Sequence, residues 1–485
     1  MNAITASVYT ESDPVKMRAV FEAQQETAIR WRQSTAAERI ERIKRLREAM
    51  LARRADFYAA FASDYRKPEA EVDVTELMPV LDEMRHAIGR VKRWMKPSRV
   101  WPTSLMIMTK AWVQYQPRGR VLIIAPWNYP LNLCFGPLVS ALAAGNTVIL
   151  KPSEMMPAVS KVMAEIIREV FPENEVALFE GSLPTSQALL DMPFDHIFFT
   201  GSPMVGKIVM AAAAKHLTSV TLELGGKSPT IVDETADLKT AAETLMWGKF
   251  LNAGQTCVAP DYLYVHASVK DAFVRECRTI LEARYGKSAA EQKASPDLTR
   301  IVNPRHAGRV AGLLQEAVDN GARLLTGGDV DVDSCWISPT LLDQVQPNAK
   351  LMEEEIFGPV LPIVEYTDLN RVIADINARP KPLALYLWSK NQGNIDFVMQ
   401  NTTSGGACIN HCMMQFVHGN LPFGGVNNSG IGHAHGHFGF KAFSHERAVV
   451  RSSFIMLVRL FFSPYDATRL KVIKASLASL KLPMP

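Results

Sequence analysis

Residues 120–151 read RVLIIAPWNYPLNLCFGPLVSALAAGNTVILK, and they decide the fold class. Val121–Ala125 is an apolar run too short for a helix, stopped by Pro126-Trp127-Asn128-Tyr129-Pro130. Leu131–Ala144 is long enough for a buried helix and closes on Gly145-Asn146. Thr147–Lys151 is a second apolar run. Strand, helix and strand at this spacing predict two parallel strands joined by a right-handed crossover. Ligands bind such sheets beyond the carboxyl ends of the strands.

The same alternation extends downstream. Pro157–Phe171 reads as a helix, Val176–Glu180 and His196–Thr200 as strands, and Val220–Leu224 as another strand. A second round follows, with strands Thr230–Val232 and Asp261–Val265 and helices Leu238–Leu251, Val269–Tyr285 and Asn303–Asn320. Upstream, residues 14–66 read as surface helices. A further helix is expected after Asp73, with Glu76 completing a capping box and Pro79 kinking it or delaying its start. Residues 104–117 alternate loosely and predict a hairpin outside the first α/β unit. The expected division is 1–103 with 118–222, then 223–415, a bridging segment of 104–117 with 416–450, and a tail 451–485.

The chain has 485 residues, 47% hydrophobic and 21% charged, with a net charge of +4. So small a surplus without a clustered basic face excludes nucleic acid as a partner. Six cysteines at irregular spacing form neither a disulfide framework nor a zinc set, which fits a reducing, cytoplasmic setting. The N-terminus lacks the pattern of a secretory signal. In the tail, Leu470, Ile473, Leu477 and Leu480 share a helical face beside basic residues. A helix docked on the protein is expected there rather than membrane contact.

Six stretches carry chemistry. Asn252-Ala-Gly-Gln-Thr-Cys257-Val-Ala-Pro260 is a polar, broken turn that presents one thiol. Its own N–H would face a developing oxyanion, and Asn128 supplies a side-chain donor of the same kind. Cys134, Cys277, Cys335, Cys408 and Cys412 lack such a context. Glu223 ends an apolar strand, where desolvation makes a carboxylate a better base near neutral pH. Phe199-Thr-Gly201-Ser202-Pro-Met-Val-Gly206 runs from a strand into a helix start that attracts phosphate. Lys151 and Glu154, at another strand end, suit a phosphate or ribose. Glu353-Glu-Glu355-Ile-Phe357-Gly-Pro places a carboxylate and an aromatic beside a turn. No acidic or cysteine ligand is spaced to complete a site around His433, His435 and His437, so no metal is expected.

Together, in this order, Asn128, Lys151, Gly201–Gly206, Glu223, Cys257, Glu355–Pro359 and Pro422-Phe-Gly-Gly-Val-Asn-Asn-Ser-Gly-Ile-Gly432 resemble the motifs of the aldehyde dehydrogenase family over residues 14–450. The Gly254–Tyr262 run resembles the class 3 branch, which includes bacterial coniferyl aldehyde dehydrogenases. His433–His437 departs from that branch, which commonly has an aromatic before His-Gly. The resemblance implies an α/β, aldehyde dehydrogenase-like fold: two doubly wound parallel-sheet domains plus a small β oligomerisation arm, in a homodimer. It implies NAD, with NADP as the alternative, contacted by Trp127, Lys151, Glu154, Gly201, Ser202, Gly206, Leu224, Glu355 and Phe357. It implies oxidation of a small-molecule aldehyde through a thiohemiacetal and thioester on Cys257, with Asn128 holding the oxyanion and Glu223 activating water. A CoA-acylating enzyme and a cofactor-independent thiol esterase are the alternatives; the former has no need of Glu223.

Overall fold

The computed structural model describes residues 11–103, 106–452 and 457–480. Val121-Leu-Ile-Ile124 forms the strand Arg120–Ile124, buried on both faces as a parallel strand must be. Its alternation sorts side chains by face. Val121 and Ile123 enter one apolar core under helices Ala36–Ala52, Met78–Trp94, Asn132–Ala144 and Pro157–Val170. Leu122 and Ile124 enter another, with Met17, Val20 and Phe21 of helix Pro14–Trp31 and Val209 and Ala213 of helix Pro203–Ala214. Each fully buried side chain of this size contributes ~1.5–3 kcal/mol, so both helix layers are held strongly.

The first sheet runs, edge to edge, Gly430–Ile431, Ser219–Glu223, His196–Thr200, Arg120–Ile124, Thr147–Lys151, Val176–Leu178. All pairs are parallel except Gly430–Ile431 against Ser219–Glu223. The order reverses between Arg120–Ile124 and His196–Thr200, so the loops after them, 125–131 and 201–202, open a crevice at the carboxyl end. The second sheet has seven strands, in the order Arg323–Thr326, Thr340–Asp343, Val360–Tyr366, Tyr262–His266, Pro229–Val232, Ala384–Trp388, Gly406–Ile409. Only its Arg323–Thr326 edge is antiparallel. The expected α/β class and parallel sheets are therefore found.

Three expectations change. Among the described residues of 104–117 there is a single strand, so the other arm of the hairpin, Ser98–Val100, lies upstream of that segment. That strand, Thr109–Pro117, has Ser98–Val100 on one side and Ser444–Ser452 on the other, all antiparallel. The long partner comes from the far end of the chain, which local alternation cannot reveal. The helix does not begin at Asp73. It starts at Glu69, passes through a π turn at Asp73–Leu77 and continues as Met78–Trp94. Asp73 caps nothing there; its carboxylate takes Arg54 and the Tyr58 hydroxyl. Pro79 cannot donate to Thr75 O, and the Asn132 amide fills that place at 3.0 Å. Finally, the tail forms the helix Ala467–Ser479 but buries none of its residues, so it is not docked. Leu470, Leu477 and Leu480 are exposed. Among the described residues no helix is long and apolar enough to cross a membrane.

Candidate active site

The helix Leu238–Phe250 ends where Leu251 turns extended, at ψ 133°. Asn252, Ala253 and Gly254 then take left-handed φ of 53°, 51° and 74° in succession. Only glycine does this without steric cost, so two non-glycine residues are strained here. Gly254 is also where the chain meets the 355–359 turn, and a Cβ on it would overlap Gly358 O.

Buried hydrogen bonds hold the strained turn. Asn252 Nδ2 donates to Asn128 O at 2.9 Å and to Gln255 O at 3.2 Å. Gln255 Nε2 donates to Asn252 O and Arg300 O, both at 3.0 Å, while its Oε1 accepts from Val302 N. The Tyr129 hydroxyl meets Thr256 Oγ1 at 2.5 Å. Cys257 is therefore half-buried on a braced loop. Asn252, Gln255, Thr256 and Tyr129 flank the motif residues, but their bracing role needs partners distant in sequence.

The N–H groups of Cys257 and Val258 favour the thiolate, but burial and the carboxylates of Glu355 and Glu223 outweigh them and push the thiol up to about 12. The two carboxylates lie 34 residues before and 98 after Cys257 in sequence (257 − 223 and 355 − 257), so their effect is invisible locally.

Glu223 ends its strand beside Gly430, and its backbone carbonyl accepts from Gly201 N at 3.0 Å. Its side chain is buried, and neither carboxylate oxygen has a hydrogen-bond partner. Burial accordingly raises its pKa well above the carboxylate range. An unpaired buried carboxyl is costly to fold around, and such groups concentrate at functional sites. Glu355 is half-buried, accepts from Gly226 N and is pushed up to about 8 by burial and by Asp261. Lys227 Nζ ties the turn before it through Leu351 O at 2.7 Å and Glu354 O at 3.1 Å, and pairs with Asp261.

Asn128 is buried, and its Nδ2 donates to Gln255 O at 3.0 Å. A carboxamide nitrogen carries two hydrogens, so one remains for a ligand. Its neighbour Trp127 sets its ring 5.3 Å from Phe357, edge to face, and 5.2 Å from His306. Asn128, Trp127, Glu223, Cys257, Glu355 and Phe357 are thus gathered around one crevice.

The remaining expected residues lie along the first sheet. Lys151 Nζ is buried and pairs with Glu154 at 3.1 Å at the end of its strand. Gly201 follows His196–Thr200, and Ser202 caps helix Pro203–Ala214 by accepting from Val205 N at 3.4 Å. Gly206 abuts Leu224, whose Cδ2 would lie 2.8 Å from a Cβ placed there. Leu224 therefore packs the helix start onto the sheet. His433, His435 and His437 do not converge. Their rings face Phe438, then Phe416 with Phe423, then Trp94 with Phe440.

The aldehyde dehydrogenase family profile matches residues 2–449. A 4,4'-diaponeurosporen-aldehyde dehydrogenase of Staphylococcus aureus is 43% identical over 458 residues, 94% of this chain and 97% of that protein. Aldehyde dehydrogenase family 3 member A2 of Mus musculus is 40% identical over 437 residues, 90% of this chain and 87% of that one. A solved structure described as the substrate-bound state of Staphylococcus aureus AldH superposes with a TM-score of 0.90 at 41% identity, covering 95% of this chain and 99% of its own. The family 3 relative agrees with the class 3 features read from Gly254–Tyr262. With the profile spanning both sheets and the residues gathered around Cys257, this chain belongs to the aldehyde dehydrogenase family.

Proposed function

We propose that the protein oxidises an apolar aldehyde, aromatic or of medium to long aliphatic chain and of the coniferyl aldehyde type, to its carboxylic acid, with NAD as acceptor. The observation that carries this reading is the placing of a half-buried thiol beside an orphaned, fully buried carboxyl. The residues fit a dinucleotide. The carboxyl end of the first sheet offers the paired Lys151 and Glu154 for a ribose and the capped start of helix Pro203–Ala214 for a pyrophosphate. Glu154 also repels a 2′-phosphate, which favours NAD over NADP. Glu355 beside Gly225 suits a second ribose, with Phe357 and Trp127 next to it.

Cys257 Sγ attacks the aldehyde carbon, and its proton passes to ionised Glu223. The oxyanion formed accepts from the free Asn128 N–H and the Cys257 N–H. NAD, when bound, accepts the hydride that leaves this carbon, so that a thioester remains on Sγ. Glu223 gives up the thiol proton to solvent and, ionised again, takes a proton from water as the water attacks the thioester; the C–S bond breaks, the sulfur leaves as thiolate, and the acid departs. A CoA-acylating path has no use for this carboxyl.

Apolar substrates are favoured by the walls near the thiol. Cys257, Trp247 and Phe416 pack on one apolar cluster. Phe416 lies 4.9 Å from Phe423 and 4.7 Å from His435 between ring centroids. Burial pulls His435 down to about 4, so it is neutral and adds no charge. A homodimer is part of the proposal, built on the Ser98–Val100 edge with exposed Trp101, Met106, Ile107 and Met108 nearby; a monomer by light scattering would refute it.

The test is a screen of aromatic and aliphatic aldehydes, with NAD and NADP in parallel, followed at the NADH band. Growth of that band with apolar aldehydes and NAD is expected. Silence with every aldehyde, or acyl-CoA as the product, would overturn the reading.

Two further outcomes are expected. Because the ionised form of Glu223 is the base and its pKa is raised, kcat rises with pH through that pKa. Glu223→Gln removes this rise and lowers steady-state kcat by ~10²–10⁴-fold. In Gly225→Ala the new Cβ displaces the Glu355 carboxylate, the movable end of a side chain. Stability then changes by less than ~1 kcal/mol, while KM for NAD, by initial rates, rises ~10-fold, the loss of one charge-assisted hydrogen bond.

A further inference from the structure

Glu71 lies on the helical stretch Glu69–Trp94 and touches the turn that carries Cys257. Its Oε2 accepts from Asn252 N at 3.1 Å and from Thr299 Oγ1 at 3.0 Å. Asn252 N needs such a partner. Leu251 has already left the helix, so the Asn252 N–H is out of register with the helical carbonyls. Asn252 and Ala253 both hold left-handed φ without being glycine, so the turn persists only while its surroundings hold it.

The helix is built to present this carboxylate. Glu76 Oε2 accepts from Asn132 N at 3.0 Å, just after the loop that carries Asn128. Glu83 accepts from Gly436 N at 2.9 and 3.1 Å, beside His435. Three glutamates of one helix thus each hold a backbone N–H of a different segment around the crevice. In a regular α-helix, residues five apart point about 140° away from each other. The π turn at Asp73–Leu77 absorbs the extra residue and brings Glu71 into line with Glu76, seven residues before Glu83. Single π turns of this kind concentrate at functional sites.

We propose that Glu71 is a positioning residue for the nucleophile, holding the left-handed Asn252–Ala253 turn, and with it Cys257, through the Asn252 N–H. This rests on the reading of Cys257 as the nucleophile. The essential property is an acceptor oxygen at the right reach, not the negative charge. Glu71→Gln keeps the reach and loses the charge; Glu71→Asp keeps the charge and loses the reach.

Both variants are compared with the parent for kcat, KM, thermal melting and the rate at which iodoacetamide alkylates Cys257, read by mass spectrometry without aldehyde or cofactor. Glu71→Gln is expected to stay within about threefold of the parent in kcat and alkylation, whereas Glu71→Asp loses ~10- to 100-fold in kcat with little change in KM, the scale of a small misplacement of a reacting group. Alkylation of Cys257 slows in Glu71→Asp while its melt remains cooperative. Adding Ala253→Gly, which removes strain from the turn, recovers most of the loss. Parent-like kcat and alkylation in Glu71→Asp, or equal damage in both variants, would overturn the proposal. Alkylation needs no aldehyde turnover, so a failure of the oxidation reading leaves this comparison intact.

Discussion

Cys257→Ala loses at least ~10⁴-fold in kcat for aldehyde oxidation, the scale seen when a covalent nucleophile is removed. No other cysteine can replace it. Cys134, Cys277 and Cys412 are buried in apolar surroundings that push their thiols far up. Cys335 and Cys408 are half-buried, and Cys408 Sγ is engaged with Gln415 Oε1 at 2.7 Å. Asn128 and Glu223 remain in the variant, but an oxyanion donor and a base act only on a tetrahedral carbon that a nucleophile has created. Cys257 is half-buried, and removing its sulfur costs the fold little, so the melt of the variant stays within a few degrees of the parent. NADH formation measured beside the melt separates lost chemistry from lost fold; oxidation at the parent rate would remove Cys257 from the nucleophile role.

Lys67→Met is expected to produce the largest stability effect. Lys67 Nζ and Glu76 Oε1 lie 2.7 Å apart with both side chains fully buried. The ammonium also sits 4.4 Å from the Tyr129 ring centroid, behind the residue that meets Thr256. Breaking a buried pair from one side costs ~3–5 kcal/mol, because the remaining charge has no partner. Burial already raises the Glu76 pKa, and Lys67 is the main group opposing that rise. Without Lys67 the folded pKa climbs further above the unfolded value. Stability is then retained below the unfolded carboxyl pKa and lost as pH rises, so denaturant unfolding at pH 5.5 and 8 reports a larger deficit at pH 8. The double variant Lys67→Met with Glu76→Leu removes both charges and recovers much of the loss. If the single variant matches the parent at pH 8, the pair is not load-sharing in the fold.

The sheet strands were legible because parallel strands covered on both faces are short apolar runs, and the turns between them carry Pro and Gly. Arg120–Ile124 and Thr147–Lys151 match the runs Val121–Ala125 and Thr147–Lys151 within a residue at either end. The strand Thr109–Pro117 pairs with the preceding Ser98–Val100, but its longer partner, Ser444–Ser452, is contributed from the far end of the chain, which local alternation does not reveal. The start of the Glu69–Trp94 helix was misplaced because Asp73 and Glu76 imitate a capping box, whereas Arg54 and Lys67 claim those carboxylates in three dimensions.

By itself the sequence determined the α/β class, the family, and which residue types stand at which strand ends and turns, since these follow from local periodicity, breakers and motif order. Only the tertiary structure decided the electrostatics of the crevice. The high pKa of Cys257, the orphaned carboxyl of Glu223 and the hold of Glu71 on Asn252 all depend on burial and on partners from distant segments. Desolvation and charge–charge energies act through space, and the spacing of residues along a chain does not record them.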